Sequence, residues 1–201
     1  MKYATRMSRL GTETAFEVMA RAQALEKRGR KIIHLQIGEP DFDTPGYICE
    51  AAIDAIKGGW THYNPSAGLM DVREVIANEV ARTRGIPVEA TEVVVVPGGK
   101  PIMFFVMMAL LDEGDEAIYP NPGFPIYESM INSLRATAVA LPLLEKTDFA
   151  FDLDAHERQI TPKTKLLALN SPANPTGGVF DRQTMDRIAE IVSKHDFYIL
   201  S

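Results

Sequence analysis

The 201-residue sequence contains one cysteine and lacks any uninterrupted apolar run long enough to span a bilayer. A single cysteine excludes an internal disulfide and fits a reducing compartment. Residues 1–6 are not followed by the apolar core of a signal peptide. We therefore expect a cytoplasmic protein with no membrane partner, and we expect Cys49, beside Ile48 and Ala52 on a predicted helix, to be buried.

The sequence also lacks an excess of positive charge, since its formal net charge is −6. The densest basic stretch, residues 27–31, is interpreted as a solvated helix end, and nothing predicts nucleic-acid binding. No Cys/His cluster has the spacing of a zinc site, and we expect no metal. The four histidines share no metal-like spacing and are interpreted as ordinary: His34, His62, His156 and His195.

What is present is an alternation of helical and extended patterns, in a chain that is 46% hydrophobic and 24% charged. Helices are predicted over 12–29, 45–57, 69–84, 102–111, 126–133, 152–159 and 181–194. Strands are predicted over 32–37, 92–96, 116–119, 136–141, 166–169 and 196–201. The alternation predicts an α/β fold with a mostly parallel sheet and right-handed crossovers. Residues 1–44 are expected to form a separate arm or small-domain segment.

The final predicted strand has the composition of a core strand, yet the sequence stops one residue after it. Phe197–Leu200 is apolar, and Ser201 is the last residue. Ligands bind just beyond the carboxyl ends of such strands in open α/β sheets. We therefore expect that this sequence is part of a longer protein.

Four loops follow predicted strands and combine proline, glycine and polar residues. They are 38–45, 97–100, 120–125 and 170–178. Because ligands bind at the carboxyl edge of an open α/β sheet, these loops predict a binding site. Gly98 and Gly99 open a helix, which favours either a phosphate site made of backbone amides or an ordinary tight turn. Lys100 either adds a positive charge or is simply solvated.

Three other side chains are candidates for contacts with a ligand. Phe124 follows a glycine at a strand end, and its ring either stacks on a planar heterocycle or packs in the core. The Tyr63 hydroxyl either donates to a phosphate or only caps packing. Asn174 can donate and accept at once, which suits a ring hydroxyl or a carboxylate oxygen.

Five motifs in order resemble the class I/II pyridoxal-phosphate aminotransferases of fold type I, the aspartate aminotransferase group. They are Leu35–Phe42, Thr61–Gly68, Pro97–Lys100, Tyr119–Phe124 and Asn170–Gly177. The resemblance covers essentially the whole chain. It implies a three-layer αβα large domain from residue 45 to 201, cut short at its carboxyl end, and a small-domain segment over 1–44. It also implies a cytoplasmic homodimer that exchanges an amino group between an L-amino acid and a 2-oxo acid through pyridoxal phosphate.

The resemblance also implies roles for individual residues. Gly38 would place its backbone against the substrate α-carboxylate, and Tyr63 would reach the partner subunit's cofactor phosphate. Gly98, Gly99 and Lys100 would hold the cofactor phosphate largely through backbone amides. Phe124 would stack on the pyridine ring, and Asn174 would bond the ring 3-oxygen. Phe124 and Asn174 would also contribute to substrate binding.

No lysine in this sequence matches the Schiff-base position of the family, which would lie beyond Ser201. No catalytic residue is therefore assigned here, and the isolated chain is predicted to be inactive. Carbon–sulfur lyases and cyclopropane-carboxylate synthases share these loops and remain an alternative. A non-enzymatic cofactor-sensing domain is a further alternative, although residues 1–44 are too few for the DNA-binding module that precedes such domains.

Overall fold

A computed structural model describes residues 2–11 and 14–201 of the chain. These residues form two compact units. One comprises the described part of Met1–Thr14 together with Gly99–Ser201, and the other comprises Ala15–Gly98. The division at residue 44 stays a prediction. No helix among the described residues is both long and apolar enough to cross a membrane.

The unit formed by Ala15–Gly98 is mainly helical. Its helices are α1 (Thr14–Glu26), α2 (Gly46–Lys57) and α3 (Met70–Arg84), followed by a short 3₁₀ turn at Ala90–Glu92. These bounds agree with the predicted helices, although residues 12 and 13, with which the first helix was predicted to begin, lie outside the described residues. α3 ends at Gly85, whose left-handed backbone (φ +69°) lets its N–H donate to the Ala81 carbonyl at 2.9 Å.

Two strands predicted in this unit are absent from the described chain. Residues 32–37 and 93–96 are irregular, and 90–92 form the 3₁₀ turn. Leu35 is 88% exposed and Val94 61% exposed, although both sequences are rich in β-branched or large apolar residues. A strand requires backbone hydrogen bonds to a neighbouring strand, and composition alone does not supply that partner.

The prediction that Cys49 is buried is also wrong. Cys49 lies on α2 and is exposed, with its thiol 3.6 Å from the Thr44 carbonyl oxygen. No residue of α2 is buried in the described chain. The apolar side chains beside Cys49 therefore mark a face of the helix that this chain leaves uncovered.

The other unit contains a four-stranded parallel sheet in the order β2-β1-β3-β4. Its strands are β1 (Glu116–Asn121), β2 (Thr137–Pro142), β3 (Thr164–Ala168) and β4 (Tyr198–Leu200). Each coincides with a predicted strand. The prediction of a parallel sheet is therefore confirmed.

Helices cover both faces of this sheet, which makes it the middle of three layers. The helices are α4 (Gly99–Leu110), α5 (Ile126–Ser133), α6 (Leu153–Gln159) and α7 (Arg182–Val192). Ala117 and Tyr119 on β1 pack into one core with α4 and α5, whereas Ile118 packs into the other, with Ile188 of α7. This alternation along one strand follows from the two-residue period of β-structure, and both sides are apolar because both are covered.

Local hydrogen bonds fix the ends of these helices. The Asp181 carboxylate accepts from the Thr184 N–H at 2.7 Å and so caps the start of α7. At the carboxyl end of α5, the Arg9 guanidinium donates to the Asn132 and Ser133 carbonyls at 3.2 and 3.1 Å. The amino-terminal segment is thereby tied to α5, where a cation also complements the helix dipole.

Candidate functional site

Two of the predicted loops leave the same edge of the sheet. β1 and β3 are adjacent and parallel, so the loops that follow them, 120–125 and 170–178, begin at neighbouring strand ends. Phe124 lies on the first loop and Asn174 on the second. In open α/β folds this carboxyl edge is where ligands bind, and the structure thus brings two predicted site residues to it.

The loop at 120–125 is tightly folded around Gly123. A side-chain β-carbon at this position would collide with the Pro120 carbonyl oxygen and lie 3.0 Å from the Pro120 carbonyl carbon. The next turn begins α5, since the Phe124 carbonyl accepts from the Tyr127 N–H at 3.1 Å. Only glycine fits between the end of β1 and the start of α5 without moving the backbone.

The Phe124 ring is held between an aromatic and a cationic side chain. Its centroid lies 6.3 Å from that of Tyr127, at an interplanar angle of 82°, and Phe124 is half-buried. The Lys100 Nζ lies 6.0 Å from the Phe124 ring centroid, which is within the range of a cation–π contact. The start of α4 and the loop after β1 therefore meet at the Phe124 ring.

The start of α4 has the features of an anion site. Gly98 has φ +86°, a conformation that favours glycine, and Gly99 is the first residue of the helix. A β-carbon at either position would meet nothing within 4 Å. The Gly98 N–H already donates to the Val96 carbonyl at 3.0 Å, so the amides that can meet a ligand begin at Gly99. The first amides of a helix have no acceptor within it, and the helix dipole is positive there. This end of α4 is suited to a phosphate group.

The loop at 170–178 closes on itself and exposes Asn174. The Asn174 N–H donates to the Asn170 side-chain oxygen at 2.8 Å, and the Ala173 N–H donates to the Gly178 carbonyl at 2.8 Å. Gly177 has φ +75° and its N–H donates to the Ala173 carbonyl at 2.7 Å. The Asn174 residue itself is exposed. The loop thus fixes its backbone internally and leaves the Asn174 amide side chain exposed, where it can donate and accept hydrogen bonds.

One buried tyrosine precedes the Phe124 loop. Tyr119 is 6% exposed. Burial, together with the negative charge of Glu128 on α5, raises the pKa of Tyr119 to about 12. The phenol of Tyr119 is therefore protonated at neutral pH.

Gly38 and Tyr63 belong to the helical unit, and their roles stay predictions. Both residues are exposed. The segment that carries Tyr63 ends at Gly68, which has φ +99° and where a β-carbon would lie 3.0 Å from the Val95 side chain. The Val95 N–H also donates to the Ala67 carbonyl at 3.0 Å. These contacts anchor the end of the segment and leave Tyr63 itself uncovered.

Two features of the site were not predicted from the sequence. They are the contact of Lys100 with Phe124 and the close approach of Gly123 to Pro120. A signal for the second was present, because a glycine between prolines favours a turn with close backbone contacts. The first joins residues on different elements and has no signature in a local pattern.

Comparisons with known proteins agree with this arrangement. The family model for "Aminotransferase class I and II" matches residues 30–201. The chain is 35% identical, over its whole length, to the aspartate aminotransferase of Geobacillus stearothermophilus, of which it covers 51%. The chain spans about half the length of the curated relatives it matches.

Two solved structures extend the comparison. The aspartate aminotransferase from Thermus thermophilus with maleate matches 99% of this chain with a TM-score of 0.94 at 36% identity, and 52% of that structure is covered. The alanine aminotransferase from Pyrococcus furiosus matches 98% of the chain with a TM-score of 0.93 at 31% identity, and 51% of it is covered. Sequence, fold and the loops at the sheet edge lead to one assignment: the chain belongs to the class I and II aminotransferase family.

Proposed function

We propose that the protein carrying this chain is an aminotransferase that moves an amino group between an L-amino acid and a 2-oxo acid with pyridoxal phosphate. The observation that carries the proposal is the meeting of the α4 start with the Phe124 loop, next to the strand end that holds the Asn174 loop. Members of the matched family use this cofactor. The named relatives act on different amino acids, and the proposal therefore concerns the reaction class.

The start of α4 fits the cofactor phosphate. Gly99 leaves open space at the start of the helix, and the helix dipole favours a dianion there. The Gly98 N–H donates to the Val96 carbonyl at 3.0 Å, so Gly98 shapes the turn that leads into the helix. Lys100 adds a positive charge at the same helix end. We assign Gly98, Gly99 and Lys100 to phosphate binding, with the backbone amides from Gly99 onward as the main donors.

Phe124 and Asn174 fit the ring of the cofactor. The half-buried Phe124 ring offers an apolar surface on which a pyridine ring can stack. The exposed Asn174 amide can donate to the 3-oxygen of the ring and also reach a substrate carboxylate. Because the loop backbone around Asn174 is already hydrogen-bonded internally, little ordering is required when a ligand binds.

In this scheme the residues of the chain bind and orient the substrate and the cofactor, and the cofactor, when bound, would supply the electron sink that cleavage of the Cα–H bond requires. Gly38 is assigned to the substrate α-carboxylate, which its backbone would contact. Phe124 and Asn174 are also assigned to substrate binding. Orientation matters because a small misplacement of the reacting bond relative to the ring costs much of the rate. The group that moves the proton is not assigned to any residue between 1 and 201.

We also propose a homodimer in which Tyr63 serves the partner subunit's cofactor phosphate. The exposure of Tyr63, of Ile56 on α2 and of Trp60 just after α2 supports a covering partner. Residues 1–44 would form the arm and small-domain segment, and 45–201 the amino-terminal part of the cofactor-binding domain. A cytoplasmic location completes the proposal and is tested by cell fractionation.

The test of the reaction uses the whole protein purified without added cofactor. Titration with pyridoxal phosphate, followed by absorbance, should show saturable binding that Asn174→Ala weakens. Incubation with aspartate or alanine plus 2-oxoglutarate should then yield glutamate and the matching 2-oxo acid. Release of pyruvate and ammonia without glutamate would support the lyase alternative, and no cofactor binding would refute both enzymatic proposals.

The role of Tyr63 is tested by mixing two inactive variants. A Tyr63→Phe subunit retains its own Asn174, and an Asn174→Ala subunit retains its own Tyr63. If Tyr63 acts across the dimer, random reassociation should restore about a quarter of wild-type activity, because half the dimers carry one intact site of two. If Tyr63 acts within its own subunit, no mixed dimer has an intact site and activity stays at the level of the variants.

A further inference from the structure

The Asn174 loop is closed at its base by the segment through which the chain leaves it. The Phe180 N–H, two residues before α7 begins, donates to the Ser171 side-chain oxygen at 3.0 Å. This bond joins the exit of the loop to its entry, in addition to the bond from the Ala173 N–H to the Gly178 carbonyl at 2.8 Å. The position of Asn174 therefore depends on where Phe180 is held.

The Phe180 ring is held by a buried aromatic side chain from another part of the chain. Its centroid lies 5.0 Å from that of Phe151 at an interplanar angle of 82°, which is an edge-to-face contact. Phe151 is buried and directly precedes Asp152, the residue that caps α6. The His156 ring, fully buried on α6, lies 5.9 Å from the Phe151 ring at an angle of 74°. Three rings thus connect the buried side of α6 to the exit of the Asn174 loop.

One apolar cluster receives both ends of the loop. Leu169, the residue before the loop, is buried in the same cluster as Phe151, and Phe180 packs against that cluster. The backbone just before Phe151 also reaches the loop, since a β-carbon at Gly178 would lie 3.6 Å from the Phe149 carbonyl oxygen. A displacement of Phe180 would therefore move one end of the loop while the other end stays fixed in the cluster.

We propose that Phe151 and Phe180 are positioning residues whose edge-to-face contact holds the Asn174 amide in place for the cofactor ring. This inference rests on the proposed function for its ligand, and on the ring geometry for the contact itself. Neither ring contacts the cofactor in this scheme. Their effect reaches Asn174 through the Phe180 N–H and the Ser171 side chain that accepts from it.

The contact is tested first without any cofactor, by amide hydrogen exchange of the whole protein. Phe180→Leu should speed exchange of the Ala173 and Gly177 amides, both bonded within the loop, by about two- to tenfold, the range expected when an aromatic pair is lost. Phe151→Leu should have a similar effect. The double variant should change exchange by less than the product of the two single effects, because both substitutions remove the same contact.

Three controls separate this contact from a general loss of packing. Phe197→Leu removes a half-buried ring from the same cluster at the amino end of β4, the opposite edge of the sheet, and should leave exchange in the loop unchanged. The Leu169 amide, which donates to the Leu200 carbonyl at 2.8 Å, should keep its exchange rate when only the loop opens. Phe180→Tyr retains an aromatic ring at a half-buried position and should stay close to wild type.

The consequence for the ligand is tested by titration with pyridoxal phosphate. Phe180→Leu and Phe151→Leu should each weaken binding by about two- to tenfold. In an Asn174→Ala background the same substitutions should cause no further loss, because the side chain that they position is then absent. A role in global stability alone would lower the melting temperature, and any loss of affinity would be the same with and without the Asn174 side chain.

The outcomes separate this inference from the proposed function. Unchanged exchange of the Ala173 and Gly177 amides in Phe180→Leu, or an equal change in Phe197→Leu, overturns the contact whether or not the protein binds the cofactor. If the wild type binds pyridoxal phosphate and Phe180→Leu binds it equally well, the positioning role is overturned and the proposed function stands. An equal loss of affinity in the Asn174→Ala background has the same meaning. Failure of the wild type to bind overturns the proposed function and, with it, the positioning of Asn174 for that ligand.

Discussion

Replacing Gly123 with alanine should disrupt the Phe124 loop more than any comparable change on the surface. The added β-carbon would collide with the Pro120 carbonyl oxygen and lie 3.3 Å from the Pro120 Cγ. The obstacle is backbone and a rigid ring, so no flexible side chain can move aside. We expect a loss of about 1–3 kcal/mol in the free energy of unfolding, the range for an overpacked site. For a domain of this size each kcal/mol corresponds to a fall of about 2–4 °C in melting temperature.

The assay compares melting temperature and pyridoxal phosphate affinity in Gly123→Ala, Gly46→Ala and wild type. Gly46 begins α2, has open space around its β-carbon and has a backbone that alanine can adopt. Gly46→Ala should therefore be neutral or stabilise by up to about 1 kcal/mol. Gly123→Ala should lower both the melting temperature and cofactor affinity. A Gly123→Ala protein as stable as Gly46→Ala, with unchanged affinity, would refute the steric argument.

Three further predictions follow from contacts elsewhere in the chain. His156 is fully buried, and burial lowers its pKa, with Glu157 opposing and His195 reinforcing that shift. Because the unfolded state therefore binds the proton first, the free energy of unfolding should fall by up to about 1.4 kcal/mol per pH unit on acidification below the ordinary histidine range. His156→Leu should flatten this pH dependence in denaturant titrations. The bond from the Thr184 N–H lowers the pKa of Asp181. Asp181→Ala should therefore lower the melting temperature at neutral pH, and Asp181→Asn should lower it less. The difference in melting temperature between Asp181→Ala and wild type should vanish as the pH falls through the lowered pKa. Arg9→Ala removes the bonds to the end of α5 and should speed proteolysis of the first ten residues, while an equal cleavage rate would show that Arg9 does not hold them.

The strands of the sheet were predictable because each of these segments has a strand-like apolar pattern and also a neighbouring strand to pair with in the fold. Residues 166–169 are continuously apolar, and β3 lies between β1 and β4 with helices on both faces. Residues 32–37 and 92–96 have similar composition but no paired strand in the described chain. Strand formation depends on distant neighbours, and a local pattern cannot supply that information.

The loops of the site were predictable, whereas the contacts between them were not. Proline and glycine at 120–125 and 170–178 indicated turns after strands, and both loops follow strands that proved to be neighbours. The approach of Lys100 to Phe124 depends on how α4 packs against α5. Side-chain geometry between separate elements arises only from the assembled core.

The central claim is that this chain contributes the cofactor-binding part of an aminotransferase, and transfer of a nitrogen label tests it most directly. Whole protein would be incubated with ¹⁵N-labelled aspartate, unlabelled 2-oxoglutarate and pyridoxal phosphate, and the products followed by NMR. The account predicts ¹⁵N-glutamate, formed only when the cofactor is present and strongly reduced in Asn174→Ala. The same experiment is repeated with labelled alanine to cover the other named relative. Label that appears as free ammonium would contradict the account. So would label that stays in aspartate in the first experiment and in alanine in the second.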